Sequence, residues 1–265
     1  MMPTFLMCPP DYYGIEYEIN PWMDRRRPAD PVSAEKQWRA LYGRLTTKLG
    51  ATVELLSPVR GLPDLIFTAN AGLVAGTKFI RSNFRFPQRQ REIPVFETWF
   101  KERSYQILPL PAAACFEGEG DALPVGKTLF AGYRMRSDIQ SHQTIAEILG
   151  CEVLSLELVD PRFYHLDTCF CPLDDRTALY FPEAFDTYGR KVIETSVPEP
   201  IPVAREDALR FGCNAIVVGT DVVLHAGCDE LNRDLRRRGF TVHELDLSEF
   251  HKAGGSAKCL VLRLN

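Results

Sequence analysis

The chain has 265 residues, 45% of them hydrophobic and 25% charged, with a formal charge of −4 and a pI near 5.8. That balance describes a globular protein with an ample core and excludes a disordered chain. It also excludes nucleic acid as an expected partner, because phosphate binding needs a basic face.

No apolar run approaches the roughly 20 residues of a membrane span, and the N-terminus MMPTFLMCPPDYYG lacks a charged region followed by a long apolar stretch. A cytoplasmic protein without membrane contact is expected. The eight cysteines, Cys8, Cys115, Cys151, Cys169, Cys171, Cys213, Cys228 and Cys259, are scattered through a chain too large to need stapling, and read as reduced thiols.

After a first strand, TFLMCPP, helical periodicity runs from Asp30 to Gly50, with Trp38, Leu41, Leu45 and Leu49 on one face. A strand, ATVELLSP, follows. The order then recurs: a hairpin-like pair of apolar runs, a helix over about 90–103 and the strand SYQILPLP; another hairpin, a helix over about 137–149 and CEVLSLEL. The fourth hairpin turns at Asp174-Asp175 and leads to a helix over about 184–195 and then PIPVA. The fifth turns at Gly219-Thr220-Asp221 and leads to a helix over 230–238 and then FTVHELDL. The last run, AKCLVLRL, completes a unit begun at the N-terminus.

Each unit thus reads strand, strand, helix, strand, and none can bury both faces of its sheet alone. Closure into a ring solves that, as one domain over residues 1–265. A doubly wound parallel sheet would give similar spacing, but the tight hairpins and the lack of a glycine-rich phosphate loop weigh against it.

Five short segments of small or polar residues open the apolar runs: TANAGLV from Thr68, GEGDALPV from Gly118, HLDTCFC from His165, GCNAIVVG from Gly212 and GGSAKCLVL from Gly254. Cys259 follows a flexible small-residue loop, where a thiolate could be approached closely, although a cysteine at such a place is commonly core filler. His165 and Asp167 would share one side of a strand by period two, giving either an acid/base pair or a structural one. Glu117, Glu119 and Asp121 crowd acids between glycines, which suits a cationic substrate better than a metal, since no metal-ligand spacing is present. His142, His225, His243 and His251 read as helical or surface-like. The segment at Gly212 offers Cys213 but no comparable reactive set.

FEGEGDAL, YHLDTCF and a late GGSAKC, in that order, resemble the amidinotransferase (pentein) superfamily of guanidine-modifying enzymes, which includes arginine deiminases, dimethylarginine dimethylaminohydrolases, arginine dihydrolases and arginine:glycine amidinotransferases. The resemblance implies an α/β fold, a five-bladed propeller of ββαβ units with pseudo-five-fold symmetry around a polar channel. It implies Cys259 as nucleophile, His165 as general acid/base and Glu117 as the catalytic carboxylate, with Glu119 as its competitor because GEG separates Glu117 from Asp121. Substrate contacts are implied for Asp121 and Asp167, for Arg89 and Arg136 toward an α-carboxylate, and for Phe67 and Asn70 in PDLIFTANAG. Asn70 stands where deiminases and dimethylargininases carry an acid, and with Asn20 in YEINPWM it is similar to the arginine dihydrolase pattern. A small-molecule substrate, arginine or an N-methylated arginine, is expected, with no metal or cofactor; a homo-oligomer stays open. Dimethylarginine hydrolysis, simple deimination, amidino transfer and a non-catalytic binding role are the alternatives, in that order.

Overall fold

In the computed structural model, which describes residues 2–265, the strands form five separate three-stranded sheets. Four are built alike from consecutive chain. Gly72–Ala75 pairs antiparallel with Lys78–Arg81, which pairs parallel with Gln106–Leu108. The same pattern joins Ala122–Val125, Thr128–Tyr133 and Glu152–Glu157. It recurs in Phe170–Pro172, Thr177–Tyr180 and Glu199–Pro202, and again in Ile216–Val218, Asp221–His225 and Thr241–Leu245. The fifth sheet closes the ring from both chain ends: Thr4–Met7 lies between the parallel Thr52–Leu55 and the antiparallel Leu262–Arg263.

The parallel step in each blade needs a crossover, and a helix supplies it. These helices are Pro31–Gly43, Ile93–Glu102, Ile139–Leu149, Thr187–Ser196 and Asp229–Arg237. Asp30 caps the first by accepting from the Ser33 N–H at 2.8 Å, and Pro31 at its start has no N–H to satisfy. The expected single helix to Gly50 instead widens after Gly43 into a π-helical turn over Arg44–Lys48. There Thr46 Oγ1 bonds back to Tyr42 O, and the Leu49 N–H reaches Arg44 O, five residues behind. The final strand shortens to Leu262–Arg263, because Lys258–Leu260 turns as a 3-10 segment.

Buried aromatics fill the space between sheets and helices. Phe79 and Phe100 stack at 3.6 Å between ring centres, and Phe130 meets Phe170 across two blades at 5.2 Å. Truncating one such ring to alanine costs about 3–5 kcal/mol. All eight cysteines are free. Among the described residues no helix is long and apolar enough to cross a membrane.

Before each innermost strand the chain makes a short turn: Thr68–Ala71, Gly118–Gly120, Leu166–Thr168, a turn over 211–214, and Lys258–Leu260. Adjacent turns touch one another around the axis. Backbone there is out of sheet register, so its polar groups and side chains face one another at the centre.

Candidate active site

Cys259, His165 and Glu117 meet at that centre, 3%, 2% and 0% exposed. His165 Nε2 lies 2.8 Å from Glu117 Oε2, which also accepts from Arg136 Nη1 at 2.9 Å. Burial opposes the Glu117 charge, but Arg136 and His165 prevail and hold its carboxyl well below the usual range. Glu119 points elsewhere and pairs with Lys258 at 2.8 Å. Of the two acids in FEGEG, Glu117 is the one beside the histidine.

Cys259 Sγ lies 3.4 Å from Asp167 Oδ2 and 3.2 Å from Asn214 Nδ2. Burial, then the Asp167 charge, push the thiol well above its ordinary value. Burial likewise raises Asp167 to about 7, against the pull of Lys258. Its Oδ1 has no partner among the described residues. His165 and Asp167 do not share a strand face as period two suggested. His165 is extended, but Leu166–Thr168 is a 3-10 turn, so the histidine faces Glu117 while Asp167 faces Cys259.

Cys259 and His165 line one narrow cavity together with Asn20, Asp64, Phe67, Asn70, Arg89 and Arg136. Arg89 is 3% exposed and is gripped by both oxygens of Glu92, at 2.9 and 2.8 Å, while its Nη1 donates to Asn70 Oδ1 at 2.7 Å. Burial raises Glu92 to about 7 in spite of that pair. Asn70 Nδ2 donates to Glu117 O at 3.2 Å, which fixes the orientation of the amide. Asn20 donates to Ala253 O at 3.0 Å and accepts from the Trp22 N–H at 2.9 Å, tying the N-terminal segment to the loop that carries Cys259.

Asp121 accepts from Ser137 Oγ at 2.6 Å and from the Leu166 N–H at 3.0 Å, which braces the His165 turn; like Glu117 and Asp167 it stands behind the residues that line the cavity. The sequence reading passed over Asp64, whose buried Oδ1 has no close hydrogen-bond partner among the described residues and whose carboxyl burial pushes up against the pull of Arg89 and the nearby Tyr17 hydroxyl. The acid in PDLIF was its one signal. Of the spare histidines, His142 lies in the helix Ile139–Leu149 and His251 in the short helix Ser248–His251, in line with the helical reading, although His142 is 4% exposed.

The family described as N,N dimethylarginine dimethylhydrolase, eukaryotic, matches residues 22–265. The chain belongs to that family. It is a member of the pentein superfamily of guanidine-modifying enzymes. It is 48% identical over 265 residues to the bifunctional arginine dihydrolase/ornithine cyclodeaminase AgrE of Nostoc sp., covering 98% of this chain and 37% of that protein. It is 41% identical to the N(G),N(G)-dimethylarginine dimethylaminohydrolase of Mycobacterium tuberculosis, covering 98% and 85%. The N-terminal domain of the cyanobacterial arginine dihydrolase ArgZ, solved with substrate bound, superposes with a TM-score of 0.95 at 45% identity, over 99% of this chain and 98% of that one. This chain thus spans little more than a third of the length of the bifunctional relatives, and the pentein propeller expected from its motifs is the fold it has.

Proposed function

We propose that this chain acts on free arginine as an arginine dihydrolase, with residues 1–265 as one catalytic domain. Cys259 is the nucleophile, His165 the acid and base, and Glu117 the carboxylate that orients His165. The observation that carries this reading is Asn70, a neutral amide in the cavity with Cys259 and His165. The 48% identity to a dihydrolase supports it.

Arginine fits the cavity by charge. Arg89 and Arg136 suit the α-carboxylate, the unpartnered Asp64 oxygen the α-ammonium, and Asp167 the guanidinium. Phe67 packs along the aliphatic stem. The guanidinium brings a positive charge beside Cys259, which offsets the burial and the Asp167 charge that hold the thiol protonated. The Cys259 proton passes to His165, the thiolate adds to the guanidinium carbon, His165 hands that proton to the departing nitrogen, and ammonia leaves an S-alkylthiouronium. His165 then takes a proton from water as its oxygen bonds to carbon and the C–S bond breaks, giving a ureido group. A second round on that neutral group releases another ammonia, and the resulting carbamate loses carbon dioxide. Arginine and two waters thus become ornithine, two ammonia and carbon dioxide.

The second round needs a donor for a ureido oxygen. Asn70 Nδ2 spends one hydrogen on Glu117 O and keeps the other. The test is a product list from purified protein with arginine: ornithine with two ammonia per arginine is expected. Accumulating citrulline would overturn the reading in favour of a deiminase. Dimethylamine from methylated arginine, without arginine turnover, would overturn it in favour of the activity named for the mycobacterial relative.

A further inference from the structure

The fourth blade also reaches the nucleophile. Asn214, fully buried, makes three hydrogen bonds at this point. Its Oδ1 accepts from the Cys259 backbone N–H at 3.2 Å. Its Nδ2 donates to Asp167 O at 2.9 Å and to Cys259 Sγ at 3.2 Å. Flipping the amide would set N–H against N–H and oxygen against both oxygen and sulfur, so one orientation is fixed by its neighbours. Both Nδ2 hydrogens are then used, one of them on the sulfur.

We infer that Asn214 is a catalytic residue that donates a hydrogen bond to the Cys259 thiolate. The inference rests on Cys259 being the nucleophile of the proposed reaction, not on which guanidino compound it takes. Burial and a carboxylate oxygen 3.4 Å away oppose ionisation of the sulfur, and the Ser256 backbone is the other neighbour that favours it beside Asn214. When the thiol proton leaves, Asp167 Oδ2 loses the donor that made that contact favourable, whereas the Asn214 N–H gains a charged acceptor and a stronger bond. Once sulfur is bonded to the substrate carbon, it carries no full charge and accepts weakly. The interaction is thus strongest when sulfur is a thiolate, both as it attacks and as it is expelled. The backbone contact from Oδ1 holds Cys259 in place while this happens, so sulfur and donor keep their spacing.

The pH dependence of Cys259 alkylation by iodoacetamide separates this role from a structural one, read without arginine by mass spectrometry of the Cys259 peptide. Asn214→Leu keeps much of the size, removes the donor and adds no charge. A charge-assisted hydrogen bond lost here lowers alkylation at pH 8 by about ten- to hundredfold and moves its midpoint up by about one to two units. Arginine turnover falls at least as far. Asn214→Ser, which restores a small donor, recovers part of both, and Asn214→Ala replaces the leucine variant if that one melts early. An unchanged alkylation midpoint in a folded Leu or Ala variant would overturn the inference. Failure of the wild type to turn over arginine would overturn the proposed substrate and leave the alkylation result standing.

Discussion

Lys258 Nζ lies 2.8 Å from a Glu119 oxygen, and the two side chains are 13% and 9% exposed. The residue preceding Cys259 in the chain is therefore anchored to the second blade, with its charge close enough to oppose the effect of burial at Asp167.

Breaking this pair from one side leaves a buried charge without its partner. Glu119→Gln should destabilise the fold by about 3–5 kcal/mol, and adding Lys258→Met should restore much of that loss by removing the orphaned cation. Urea denaturation of the two variants measures it. A double variant no more stable than the single one would show that the pair does not hold the turn.

The position of Glu119 also shows where the sequence was legible and where it was not. Motif order and repeat phase were enough to place Cys259, His165 and Glu117 in one centre, because reactive side chains are rare in strand-opening turns. Glu117 and Glu119 could not be separated by composition. What separates them is the turn between: Gly118 adopts φ +70°, where a Cβ would come within 2.7 Å of Ala69 O, and the 3-10 turn it opens directs Glu119 toward Lys258. Asn214 and Asp64 were illegible for a different reason. An amide becomes informative only when the partners it joins are known, and its partner Cys259 is 45 residues away. Asp64 is one of many acids until its surroundings are seen to leave an oxygen unpaired.

The raised Asp167 value makes stability depend on pH. Its carboxyl titrates near 3.8 in the unfolded chain and about 7 in the fold, so between those values the folded state binds more protons than the unfolded one. Stability from this group is full below pH 4 and falls as pH rises toward 7, by on the order of 4 kcal/mol. Asp121, raised by burial to about 6, acts in the same direction. Glu117, held low, loses its stabilising charge only under acid conditions, so the optimum should lie on the mildly acidic side. Asp167→Asn should flatten the decline between about pH 4 and 7 in urea titrations. A variant with the wild-type slope would exclude Asp167 as its source.

Gly255 is required by contact and not by backbone angle. A Cβ there would sit 2.5 Å from the Phe67 ring, and Phe67 lines the cavity with Cys259. Gly255→Ala should force the ring or the Cys259 loop to shift, costing about 1–3 kcal/mol and lowering kcat/KM by a larger factor than that loss of stability explains. Pairing it with Phe67→Leu, which clears the space, should recover the stability more fully than the activity. Thermal melts and initial rates on the single and double variants test this, and an active, fully stable Gly255→Ala would remove the steric argument.

In the proposed reaction Asn70 would decide between one round of hydrolysis and two. Its Oδ1 accepts from Arg89, a role a carboxylate would keep, but its Nδ2 donates to Glu117 O, a role a carboxylate would reverse into repulsion. Asn70→Asp should therefore still bind a cationic guanidinium, with an added negative charge in its favour, while offering no donor to a neutral ureido oxygen. The first round should persist at reduced rate and the second should fall by about two orders of magnitude, the loss of one buried donor to a polar acceptor together with the repulsion that replaces it. Citrulline should then accumulate from arginine, and added citrulline should not be consumed. Time courses of citrulline, ornithine and ammonia measure the split directly. If the variant still gave ornithine with two ammonia per arginine, the donor for the second round would have to come from another side chain, and Asn20, held by Trp22 and Ala253 at the same cavity, would be the next to change.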